Sequence, residues 1–235
     1  MAQSSITVHM SEGLQGARQA NGIVVIIDVL RAFTTACYVV AAGAERLFTV
    51  ARRSDALALA KQFADVVLMG ERDGLRIPGF DLGNSPSQLS DFEFQDRTVI
   101  LTTSNGTRGL FAAQGAQQVL TGSFVNAGAL VQYLHDQKPA KVSLVCMGSR
   151  GEPAIEDTLC AHYLKTHIQG QPQDFESLRA EILSHPRVTI YKTAAIADMP
   201  AEDLTLALQT DCFDFVLRAE KGPHNSLLLE RVDII

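Results

Sequence analysis

Four short clusters carry the residues that could do chemistry. Asp28-Val29-Leu30-Arg31 ends an apolar run, and Gly70-Glu71-Arg72-Asp73-Gly74 ends a second. Thr102-Thr103-Ser104-Asn105-Gly106-Thr107-Arg108 ends a third, and Gly148-Ser149-Arg150-Gly151 ends a fourth and leads into Glu156-Asp157. Each cluster offers carboxylates, guanidiniums, hydroxyls or glycines. That mixture suits phosphoryl transfer. One or two carboxylates with waters hold Mg2+, guanidiniums pair bidentately with phosphate oxygens, and hydroxyls and backbone N–H groups at a helix start donate further bonds. Asp28 is the most telling member, because it closes the most apolar run of the chain, where an uncompensated carboxylate would cost several kcal/mol. Each cluster also has a bland reading. Asp28 and Arg31 could be a structural pair, Asn105-Gly106 a turn and helix cap, and Glu156-Asp157 the acidic first turn of a helix. The six histidines fall in no ligand spacing.

These clusters need elements to bring them together, and the hydropathy pattern supplies them. Residues 22–30 read as a strand buried on both faces, followed at once by the helical stretch 31–44. Strands at 46–51, 66–70, 98–103, 117–122 and 141–148 alternate with helices at 54–64 (Ser54 as N-cap), 106–115, 125–136 and 155–168. Such alternation predicts an α/β fold: three layers, with a largely parallel, mixed sheet. In open α/β sheets, ligands sit outside the carboxyl ends of the strands, which is where all four clusters fall. Residues 71–91 are expected to form a long functional loop. Residues 170–210 read as a helical addition to a single domain spanning 1–235, and the last stretch as a hairpin around Lys221-Gly222-Pro223.

The composition narrows the function. With 20 basic and 26 acidic residues the net charge is −6, and the basic residues form no stripe, so a nucleic-acid partner is not expected. The four cysteines form no CxxC pair and read as reduced thiols. No leader and no membrane span are read in the sequence, so a cytoplasmic protein is expected, with a homodimer as the default assembly. Dinucleotide, P-loop and serine-hydrolase motifs are missing. Cys146 and Arg150 stand too close together for a cysteine-phosphatase loop, and Leu30 occupies the place of the second acid of a haloacid-dehalogenase phosphatase.

With Pro78-Gly79-Phe80-Asp81-Leu82-Gly83-Asn84-Ser85-Pro86 added, the clusters in this order resemble the 2-phosphosulfolactate phosphatase family of coenzyme M biosynthesis over residues 20–165. The resemblance implies Mg2+-dependent hydrolysis of 2-phosphosulfolactate to sulfolactate and phosphate. On that reading Asp28, Arg31, Glu71 and Arg72 are the expected catalytic residues. Asp28, Glu71, Asp81, Glu156 and Asp157 are the expected metal carboxylates. Thr103, Asn105, Gly106, Thr107, Arg108, Asn84, Ser85 and Ser149 are expected to bind substrate, with Asn105 to Thr107 cradling an anion and Asn84 and Ser85 holding the long loop over the site. The nucleophile is a water on the metal or Asp28 itself. Gln88 stands where the family carries an acid, so another small phosphorylated hydroxy acid is an alternative substrate. A non-catalytic anion-binding protein on the same scaffold is the rival from a different class.

Overall fold

The structure, a computed structural model, describes residues 6–193 and 196–234. Residues 1–5, read above for a leader, residues 194–195 of the expected helical addition, and residue 235 lie outside that description. One sheet runs through the molecule in the order β1-β8-β2-β7-β9-β10-β3-β6-β4-β5. Here β1 is Thr7–Glu12, β2 Ile23–Ile27, β3 Arg46–Val50, β4 Val66–Arg72 and β5 Leu75–Arg76. The others are β6 Thr98–Thr102, β7 Gln118–Gly122, β8 Lys141–Cys146, β9 Phe215–Lys221 and β10 Ser226–Asp233. The α/β class and the mixed, largely parallel sheet agree with the sequence reading.

Two parallel groups make up the sheet. β1, β8, β2 and β7 pair in parallel, as do β3, β6 and β4. The expected terminal hairpin joins them in the middle: β9 pairs with β7 and β10 with β3, both antiparallel. The two groups therefore run in opposite senses, which in a flat sheet would put their carboxyl ends at opposite edges. Twist removes the difficulty. At roughly 20–25° per strand, the five steps from β2 to β6 accumulate about 100–125°, enough to swing the exits of β2 and β6 toward each other.

Alternation along the strands divides the core. Ile23, Val25 and Ile27 of β2 pack with α5 (Ala127–Gln137) and α6 (Ile155–Ile168). The same cluster takes in the helical addition, made of α7 (Phe175–Ser184), α8 (Thr189–Lys192) and α9 (Ala201–Ala207). Val24 and Ile26 face the other way, into a core shared with Val67, Met69, Val99 and Leu101 of the second group and Leu217 and Leu229 of the hairpin. The helices α1 (Gly13–Gln19), α2 (Ala32–Ala41) and α4 (Gly106–Ala112) contribute to this shared core. A third cluster lies under α3 (Arg53–Ala60).

Three local expectations need correction. The N-cap of α3 is Arg52 and Ser54 lies inside the first turn. The loop 71–91 is not structureless: β5 folds back on β4, and Pro86–Leu89 form a 3-10 turn. β1 and α1 were not foreseen. β1 is an edge strand with a mixture of half-buried and exposed residues, too polar to stand out by hydropathy.

Candidate active site

The exits of β2, β4, β6 and β8 converge on one cavity of about 640 Å³, within the range of small-molecule sites. β2 delivers Asp28, which is held on both oxygens: Ala32 N–H donates to Oδ1 at 3.2 Å and Gly106 N–H to Oδ2 at 2.8 Å. The second bond ties the β2 exit to the start of α4. Only glycine allows this approach, since a Cβ at residue 106 would lie 2.7 Å from Asp28 Oδ2 and 2.9 Å from Ala32 Cβ. β4 delivers Glu71. Its Oε1 accepts from Ser104 N–H at 2.6 Å, and its Oε2 from Gly74 N–H at 2.8 Å and from Ser104 Oγ at 3.0 Å. Glu156, in the first turn of α6, completes the buried acids of the wall.

None of these acids forms an ion pair with a cavity guanidinium among the described residues. Burial pushes the Asp28 carboxyl up to about 7; the charges of Glu71 and Glu156 add to this, and the Ala32 and Gly106 N–H groups oppose it. Burial also raises Glu156, against the pull of Arg187. Arg72 and Arg108 line the cavity near one another. Arg72 Nη1 donates to Glu71 O at 2.6 Å and Nη2 to Thr102 Oγ1 at 2.9 Å. Burial draws the Arg72 guanidinium below its ordinary range, Glu71 works the other way, and Arg108 adds to the lowering. Arg72, Arg108, Arg150 and Arg187 all face the cavity, and among the described residues none forms an ion pair with a carboxylate.

Asn84 is buried in the wall, and its Oδ1 has no hydrogen-bond partner among the described residues. A buried acceptor in that state costs about 1–3 kcal/mol unless a ligand or water satisfies it. Asn105 occupies the N-cap of α4 but makes no capping bond with its side chain, so its amide remains available on the cavity wall. Ser149 also lines the wall.

Several expected site residues are occupied elsewhere. Thr103 and Thr107 are buried and bonded to each other, Thr103 N–H to Thr107 Oγ1 at 3.0 Å and Thr107 N–H to Thr103 Oγ1 at 3.2 Å. With Gly106 N–H given to Asp28 and Thr107 N–H to Thr103, only Asn105 of the cradle expected at Asn105 to Thr107 still offers its amide to the cavity. Asp81 is exposed on the outer side and accepts from Leu68 N–H at 2.8 Å. Asp157 braces two strand exits, accepting from Val29 N–H and Gly148 N–H at 2.9 Å each. Burial, then the charges of Asp28 and Glu156, hold its carboxyl well above the usual range.

Arg31 is a brace as well. It reaches the wall, but its Nη1 is bound to Asp203 Oδ2 at 2.8 Å and to Asp198 O, and its Nη2 to Gly74 O at 3.2 Å. Asp203, fully buried on α9, also accepts from Ser85 Oγ at 2.7 Å and from Ser87 Oγ and N–H at 2.7 and 3.1 Å. This network, not a substrate, holds Ser85 and the 78–86 block against the helical addition. Sequence reasoning missed Ser104 as an anchor, Asp203 as a brace, and Arg187, Tyr191 and Met199 in the wall. The last four come from the helical addition, whose sequence signal was a run of helical stretches that breaks the strand–helix alternation and carries no motif of its own.

The 2-phosphosulpholactate phosphatase family model matches residues 8–222. The chain belongs to the 2-phosphosulpholactate phosphatase family. It is 38% identical over 147 residues to a Deinococcus radiodurans protein named "Probable 2-phosphosulfolactate phosphatase", covering 62% of this chain and 61% of that one. A Carboxydothermus hydrogenoformans protein of the same name is 40% identical over 141 residues, 60% of this chain and 58% of that one. Both matches span about three fifths of the relatives' length. A Pseudothermotoga lettingae protein, also of that name, is 32% identical over 205 residues, covering 83% of this chain and 88% of that one. All four strand exits of the cavity lie inside the family match, and so does the helical addition that supplies Arg187 and Asp203.

Proposed function

We propose that this protein hydrolyses 2-phosphosulfolactate, the substrate its family name carries, to 3-sulfolactate and phosphate, and that it does so with the help of Mg2+. The observation that carries the reading is the meeting of buried acids with acid-free guanidiniums in one cavity fed by four strand exits. The acids alone would repel the substrate, and the guanidiniums alone would make only an anion binder. Together they suit a phosphate monoester approached by a cation.

Among the described residues no three His, Cys, Asp or Glu side chains converge closely enough to hold a metal by themselves. Mg2+ seldom needs that, because it keeps several waters and takes one or two carboxylates plus substrate oxygens. Asp28 and Glu156 are the carboxylates that would hold it, since both line the cavity with charge that burial leaves uncompensated. When bound, the ion would polarise the phosphoryl group and offset its charge. The chain's own part is placement. Arg72 and Arg108 grip phosphoryl oxygens, Asn84 and Asn105 supply amides, and Glu71 fixes Ser104 and Gly74 so that the floor cannot shift. The substrate is a small anionic organic phosphate, and the place of action is the cytoplasm, supported by four unpaired cysteines. No helix among the described residues is long and apolar enough to cross a membrane.

The test is phosphate release from racemic 2-phosphosulfolactate with Mg2+, with chelator, and from an Asp28→Asn variant. Release that needs the metal and Asp28 supports the reading. Release only from another phosphorylated hydroxy acid keeps the chemistry and changes the substrate. No release from any ester by the folded protein favours the anion binder. The stereochemical course at phosphorus then separates direct attack by water, a single displacement that inverts, from attack by Asp28, two displacements that retain.

A further inference from the structure

The guanidiniums Arg72 and Arg108, assigned above to the phosphoryl group, stand at the exits of β4 and β6, while a further one, Arg187, enters the cavity from a different wall. It sits on the 3-10 turn Pro186–Val188 at the edge of the helical addition. The turn is well anchored. Val188 is buried in the core beside Tyr191, and the His185 ring accepts from Arg187 N–H at 3.3 Å. Arg187 Nη1 donates to Pro153 O at 2.6 Å, which leaves its other guanidinium donors for a ligand. It faces Glu156, yet forms no ion pair with a carboxylate among the described residues. Leu30, Ala154, Val188, Ile190 and Met199 give the same cavity an apolar lining. A single phosphoryl group needs neither that lining nor a cation on a separate wall.

We infer that Arg187 is a specificity-determining residue that binds an oxyanion, a carboxylate or sulfonate, carried on the substrate's carbon skeleton away from the phosphoryl group. The inference rests on the proposed function only in taking that other group to be a phosphoryl. A planar guanidinium suits either oxyanion bidentately. The apolar lining would accompany the carbon chain between the two charged ends.

The experiment compares wild type with Arg187→Ala and Arg187→Lys. Calorimetry measures binding of sulfolactate, which has a carboxylate and a sulfonate but no phosphate, and of inorganic phosphate. Arg187→Ala should weaken sulfolactate at least tenfold and phosphate less than threefold, and Arg187→Lys should recover part of the loss. If 2-phosphosulfolactate is turned over, its KM should rise at least tenfold in Arg187→Ala with kcat within threefold. Arg187 is exposed, so the variants are expected to fold, and thermal melting checks this. Unchanged sulfolactate binding, equal losses for both ligands, or no sulfolactate binding by wild type overturns the inference. If wild type hydrolyses no ester yet binds sulfolactate through Arg187, the phosphatase reading fails and the subsite stands.

Discussion

Removing the Asp203 carboxylate should unfold much of what holds the cavity together. Asp203 is fully buried and accepts four hydrogen bonds, from Arg31, from the hydroxyls of Ser85 and Ser87, and from Ser87 N–H. In Asp203→Asn the shape survives, but the new amide N–H must point at another donor, either the guanidinium or the Ser87 pair. Arg31, itself buried, would keep its charge without a counterion. Breaking a buried ion pair by removing one partner costs about 3–5 kcal/mol. Urea slopes reach about 3 kcal/mol per molar, so the midpoint should fall by about 1–1.7 M. Urea unfolding followed by circular dichroism and fluorescence, with coincident transitions, measures it. A second variant guards the argument. Replacing the pair together, Arg31→Met with Asp203→Leu, removes the stranded charge and should recover part of the loss, the Ser85 and Ser87 donors still lacking their acceptor. A fall below about 0.3 M in the single variant, or a double variant worse than the single, would refute the claim that this pair braces the helical addition.

Three further outcomes are expected. Gly106→Ala puts a Cβ against Asp28 Oδ2 and Ala32 Cβ, so it should cost about 1–3 kcal/mol of overpacking and about a hundredfold in turnover through a misplaced carboxylate, read by melting and by phosphate release. In chelator, stability should fall as pH rises from about 4 to about 7. The folded Asp28 carboxyl titrates near 7 against 3.8 when free, so the native state holds the extra proton between those values; its contribution is full below the free value and lost as pH climbs through 7. Three units set a ceiling of about 4 kcal/mol for Asp28, and Asp28→Asn should make the profile of urea midpoints shallower, the raised Glu156 and Asp157 carrying the rest. Finally, a thiol reagent should meet one accessible cysteine, Cys212, in the native protein and four in denaturant, because Cys37, Cys146 and Cys160 are buried. Burial and then Asp211 raise the Cys212 thiol, so even that reaction should be slower than with free cysteine.

The strands of the parallel groups were legible because β2, β6 and β8 are nearly continuous apolar runs, the signature of strands covered on both faces. The strand exits were legible for the same reason: Asp28 interrupts apolar periodicity, and Glu71 and Ser104 follow it directly. What pattern could not supply was which donors face the cavity and which face each other. Thr103 and Thr107 have the right chemistry for a phosphate cradle, yet, four residues apart where β6 turns into α4, they satisfy one another. Arg31 looks like a substrate contact until Asp203, 172 residues away, claims it. Such pairings depend on tertiary approach, and so does the arrival of Arg187 from a segment with no strand of its own.

The position of the β9–β10 hairpin also bears on how the chain is made. Thr49 Oγ1 bonds to Leu227 O, a separation of 178 residues, and β7 must likewise wait for Arg218. At roughly 5–20 residues per second on the ribosome, several seconds to half a minute pass between the emergence of β3 and that of its neighbour. Throughout that interval β3 and β7 present open edges that invite pairing with other chains. Long-range closure of this kind is intrinsically slow. The nascent protein is therefore expected to need shelter from a chaperone until the hairpin slots in, and a stall shortly before residue 215 should leave two half-sheets that associate with one another across molecules.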